Sequence, residues 1–72
     1  MTKDTYLKLV EKTLSTDPMI RIHASQQSKL AALGRLVERR EKTPLETVDD
    51  IVLIFDPFIN RSLRQNLERA LR

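Results

Sequence analysis

Residues Met19 to Ser25 read Met-Ile-Arg-Ile-His-Ala-Ser, an alternating run that leads directly into a helix-capping serine. Strand side chains alternate with a period of two. Ile20, Ile22 and Ala24 therefore fall on one face, and Met19, Arg21 and His23 on the other. This run constrains the chain most, because a lone short strand leaves its backbone donors and acceptors without partners. No second run of the same kind lies nearby. The simplest partner is the same strand of a second copy of the chain, which predicts a two-stranded ribbon at the centre of a homodimer.

Length argues the same way. A chain of 72 residues is one small domain that buries only roughly 60% of its unfolded surface, so its core is marginal. With no Cys and one His, neither disulfides nor a zinc site can staple it, and oligomerisation is the natural substitute. No run of 18 apolar residues is present, so no membrane span is expected. The opening Met-Thr-Lys-Asp does not read as a signal peptide, and a cytoplasmic location is the default expectation. Asp49, Asp50 and Asp56 stand beside no nucleophile or His, and there is no Gly-rich loop. We therefore expect no enzyme, no catalytic residues, no cofactor and no metal.

The net charge of +3 is modest but uneven. Residues 25–43 hold five bases (Lys29, Arg35, Arg39, Arg40, Lys42) against two acids. Residues 44–56 hold four acids and no base, and residues 57–72 hold four Arg and one Glu. Basic blocks around an acidic segment fit nucleic-acid binding by one face, and equally fit solvated helix surfaces.

Residues 4–15 form an amphipathic helix on the spacing of Tyr6, Leu7, Val10 and Leu14, with Thr2 or Asp4 as cap. Thr16-Asp17-Pro18 ends it. After the strand, Ser25 caps a helix over about Gln26 to Glu41, with Leu30, Leu33, Leu36 and Val37 as its buried stripe. Gly34, the only glycine, sits inside it, either to admit close packing of another backbone or as a tolerated cost of roughly 1 kcal/mol. Glu41-Lys42-Thr43 is a turn. Thr43 then opens a third helix, with Pro44 at its first position and Glu46 completing a Thr-x-x-Glu capping box. Leu45, Val48, Ile51, Val52 and Phe55 point inward from it. Ile51–Phe55 reads either as a buried strand or as a helix buried on several sides; the capped start favours helix. Asp56-Pro57 opens a last helix with the stripe Ile59, Leu63, Leu67, Ala70, Leu71.

Strand, helix, short turn, helix is the plan of the ribbon-helix-helix family of DNA-binding proteins, which residues 18–55 resemble. The resemblance implies a mostly α fold with one short strand, an intertwined homodimer, and extra N- and C-terminal helices. It divides the chain into an arm at 1–17, a core at 18–55 and a C-terminal helix at 56–72. Ile20, Ile22 and Ala24 stand where the family has inward strand residues, and Met19, Arg21 and His23 where it has groove-facing ones. Ser25 matches the first helix cap, and Lys42-Thr43 the turn and cap of the second, whose amides in the family grip a DNA phosphate. Two departures stand out. The family usually has a Gly in the turn, which here reads Glu41-Lys42-Thr43, and Pro44 removes one amide.

On that resemblance the expected function is sequence-specific binding of double-stranded DNA, as a small nucleoid-associated transcriptional regulator of the repressor type. Arg21 would donate to guanine O6 and N7, His23 to a base or phosphate, and Met19 would touch a thymine methyl. Lys42 and Thr43, with Lys29, Arg39 and Arg40, would hold the phosphate backbone. Ile20, Ile22, Leu33, Val37, Val48, Ile51, Val52 and Phe55 would form the dimer core. Each has a plainer reading: an edge-blunting Arg, a polar surface His, a packing Met, a solvated turn and cap. Arg61, Arg64, Arg69 and Arg72 reach DNA or an acidic protein, or pair with Asp49 and Asp50 across the dimer. This last, structural role ranks first. The competing expectation is an all-helical protein–protein interaction module, or an antitoxin that neutralises a partner through its C-terminal helix. In the all-helical case Met19–Ala24 would be a loop or a helix extension, whereas the antitoxin reading keeps the ribbon-helix-helix core.

Overall fold

A computed structural model of the chain, describing residues 1–72, contains four α-helices and no β-strand. In chain order these are α1 (Lys3–Leu14), α2 (Ala24–Glu38), α3 (Val48–Phe55) and α4 (Arg61–Ala70), with a 3-10 turn at Leu45–Thr47 running into α3. The mixed ribbon-helix-helix architecture is therefore not the fold; the chain is all-helical. α1 and α3 each pack on both α2 and α4.

The reason the ribbon fails to form lies in residues 17–26. The Asp17 carboxylate accepts the Met19 N–H at 2.9 Å, and the Asp17 carbonyl accepts the Ile20 N–H at 3.1 Å. The His23 N–H donates to Gln26 Oε1 at 3.0 Å, which caps α2. Three donors that a strand would offer to a partner are thus satisfied locally, and the need for a second strand disappears. The in–out alternation survives in an extended connection: Ile20 is buried and Ile22 half-buried, while Met19, Arg21 and His23 are exposed. Ala24, expected on the strand, is the first residue of α2, and His23 rather than Ser25 is its N-cap.

One hydrophobic cluster of thirteen residues holds the molecule together. Tyr6, Val10 and Leu14 come from segment 1–17, seven residues from Ile20 to Phe55 come from 18–55, and Leu63, Leu67 and Leu71 come from 56–72. Of the eight residues assigned to a dimer core, Ile20, Leu33, Val37, Val48, Ile51 and Phe55 are buried within a single chain, and Ile22 and Val52 are half-buried. The radius of gyration is 10.9 Å, close to the ~11 Å of a folded monomer of this length, so one chain closes its own core.

The local signals resolve as follows. Thr2 caps α1, accepting the Thr5 N–H at 3.2 Å. α2 ends at Glu38 instead of Glu41, in a Schellman turn: the Glu41 N–H reaches the Leu36 carbonyl at 2.9 Å and the Arg40 N–H the Val37 carbonyl at 3.0 Å. Arg40 takes the left-handed position, with φ at 61°. The Thr43–Glu46 capping box forms in both directions, at 3.1 and 3.3 Å, and Ile51–Phe55 is helix. Asp56-Pro57, whose peptide is cis, ends α3 and does not open α4. The cap of α4 is Asn60, which accepts the Leu63 N–H at 2.8 Å.

Candidate functional site

Met19, Arg21 and His23, the residues singled out for base contact, line one groove of about 250 Å³. Its floor comes from buried Ile20 and Phe55, and exposed Phe58 and Gln26 of α2 complete the lining. Four separate pieces of chain build it. The Asp17 turn turns Met19 outward, the extended 20–23 link seats Ile20 in the core, α2 begins at Ala24, and the chain leaving α3 projects Phe58. A Phe58 N–H to Phe55 carbonyl hydrogen bond of 2.8 Å fixes that last turn.

Met19 is 68% exposed and Phe58 51%. Two large apolar side chains therefore stand in water in the lining of a concave surface whose floor is already apolar. The ionisable groups lining the groove are Arg21 and His23; no carboxylate lines it. Arg21 forms no ion pair within the chain. Asp17 lies close in sequence, but its carboxylate is engaged by the Met19 N–H. Phe58 had no role in the sequence reading. Its signal was available in retrospect, as a large aromatic outside the apolar stripe of any helix.

Of the candidates for phosphate contact, Arg39, Lys42 and Thr43 lie elsewhere and have other partners. Residues 39–43 stand at the C-terminal end of α2, a helix about 22 Å long whose opposite end carries Arg21 and His23. Lys42 Nζ pairs with Asp50 Oδ2 at 2.8 Å. That hydrogen bond and the Asp50 charge push the Lys42 ammonium pKa upward. Thr43 is engaged by Glu46, whose own carboxylate occupies the position at the helix start where a phosphate would sit. The Thr43 N–H and hydroxyl hold the Glu46 pKa below the ordinary value. Arg39 pairs with Glu41 at 2.7 Å, while Lys29 and Arg40 are exposed.

On α4, Arg64 pairs with Asp49 of α3 and, at 3.3 Å, with Glu68 one turn on. The Asp49 hydrogen bond raises its pKa. The expected pairing of this helix with the acidic segment thus occurs within one chain. Arg61, Arg69 and Arg72 remain exposed.

No group of three His, Asp or Glu side chains converges on a point that could hold a metal ion. No helix is long and apolar enough to cross a membrane. Compared with protein-family models, curated proteins and solved structures, the chain matches none.

Proposed function

We propose that this protein is a small helical protein–protein interaction module whose contact surface is the groove between Met19 and Phe58. The observation that carries this reading is the exposure of those two side chains around a floor of Ile20 and Phe55. A chain that buries its core in four short helices has no folding reason to hold a Met and a Phe in water at one site. Association with an apolar side chain of a partner removes both from solvent. At about 250 Å³ the groove is smaller than the ~300–1,000 Å³ typical of small-molecule sites, which suits a protruding side chain better than a metabolite. The protein–protein alternative raised by the sequence placed the contact on the last helix. We take the contact surface to be the groove at the start of α2 instead, a reading supported by the engagement of Arg64 with Asp49 and Glu68.

The test is selection of a random displayed-peptide library against the folded chain, followed by amide NMR mapping of the selected peptides. Shifts concentrated at Met19–Gln26 and Phe55–Phe58, lost in a Met19→Ser/Phe58→Ser double variant that keeps the wild-type spectrum elsewhere, support the module. Peptides that bind the double variant equally well overturn it. So does a 20-base-pair mixed-sequence duplex that shifts these same residues when no peptide does.

A further inference from the structure

The lining of this groove carries two basic-type side chains and no acid, and that narrows the partner. Arg21 and His23 line it together with Met19 and Phe58. Lys29, exposed one helical turn beyond Gln26, adds a positive charge on the same face of α2. Asp17, whose carboxylate accepts the Met19 N–H, and exposed Asp56 are neighbours of lining residues in the chain but do not line the groove themselves.

Building on the interaction-module reading, we infer that the groove captures an acidic, apolar segment of a partner protein. A bulky apolar side chain of that segment enters between Met19 and Phe58, and a neighbouring Asp or Glu meets the Arg21 guanidinium. Arg21 suits this role chemically. Its planar fork offers paired donors to a carboxylate, and nothing in the chain already uses them. An uncharged partner would fill the apolar part of the groove and leave Arg21 idle. A basic partner would meet Arg21 and Lys29 with like charge. A nucleic acid fits less well. Its affinity rests on many phosphate contacts, whereas the groove supplies few cations beside a mostly apolar surface.

Three acetylated, amidated peptides of equal length serve as probes: one alternating Glu with Leu and Phe, one with each Glu replaced by Gln, and one with each Glu replaced by Lys. Binding to the whole chain is followed by amide NMR at low salt. The acidic peptide is expected to bind at Met19–Gln26 and Phe55–Phe58 about tenfold or more tightly than its Gln counterpart. The Lys peptide is expected not to bind. Arg21→Glu should reverse that order, with the Lys peptide now preferred, and Arg21→Gln should level it. Equal binding of acidic and Gln peptides, both lost in Met19→Ser/Phe58→Ser, overturns the acidic preference and leaves the module reading standing. Binding of none of the probes, and of no peptide from library selection, overturns both.

Discussion

The Tyr6 hydroxyl donates to Thr47 Oγ1 at 2.7 Å, joining two residues 41 positions apart at the centre of the core. The Thr47 hydroxyl in turn donates to the Pro44 carbonyl at 2.6 Å, so the two hydroxyls form a directed chain with no spare donor. Both residues are fully buried. Removing the first donor leaves the rest satisfied, and removing the middle link does not. Tyr6→Phe should cost about 1 kcal/mol in urea unfolding, and Thr47→Val about 2 kcal/mol, because it strands the buried Tyr6 hydroxyl, while the Pro44 carbonyl keeps the Thr47 N–H at 3.1 Å. The double variant should cost less than the sum of the two. Additivity would show that the hydroxyls do not act as one unit.

Burial raises the Tyr6 pKa, more than the Thr47 hydrogen bond lowers it, and the Asp50 charge adds to the rise. The unfolded chain loses this proton near the ordinary tyrosine value of about 10, whereas the folded chain holds it longer. Stability is therefore unaffected by this group below about pH 10, falls as pH climbs through the raised pKa, and that fall is absent in Tyr6→Phe. With one Tyr and no Trp, tyrosinate absorbance reports this hydroxyl alone. A titration midpoint at or below the free-tyrosine value would contradict the burial argument.

Arg40 holds a left-handed backbone, with φ at 61°, at the position of the α2 Schellman turn where glycine is the usual residue. Arg40→Gly is expected to stabilise the chain by about 1 kcal/mol, and Arg40→Ala, which keeps the Cβ, to bring no such gain. Thermal unfolding of the two variants side by side decides this.

The Thr43–Glu46 box contributes at the start of the 3-10 turn that leads into α3. Thr43→Ala should destabilise by about 1 kcal/mol. Hydrogen bonds from Thr43 lower the Glu46 pKa, so its stabilising contribution is present above the ordinary glutamate value. It is lost as pH falls through the lowered one. A carboxyl NMR titration of Glu46 should report that lowered midpoint, and Glu46→Gln should flatten part of the acid limb of the stability curve.

Gly34 stands where α1 crosses α2. A Cβ there would come within 2.8 Å of Lys3 Cγ and 3.4 Å of Tyr6 Cδ1. The expected approach of another backbone does not occur here; the space beside this glycine is filled by side chains of α1. Gly34→Leu should destabilise by about 1–3 kcal/mol through overpacking, measured by the shift in urea midpoint at unchanged slope.

What could be read from the residues was local. Tyr6, Val10 and Leu14 declare α1 by their spacing, Thr43 and Glu46 declare the start of the 45–55 helical run, and the alternation of Met19 to His23 correctly separates buried Ile20 from its exposed neighbours. These signals depend on the geometry of a few consecutive residues, which is the same in any fold. Tertiary structure decided everything that depends on which surfaces meet. Asp17 and Gln26 take up the Met19, Ile20 and His23 N–H groups of the extended run within the chain, and residues that looked like a dimer core pack inside one chain. Asn60 rather than Asp56 caps α4, Arg64 is claimed by Asp49, and Phe58 is brought beside Met19 to complete the groove. A period-two pattern records which side chains face the core. It carries no information about whether the backbone hydrogen bonds are made across a ribbon or within a turn, because both leave the side chains alternating alike.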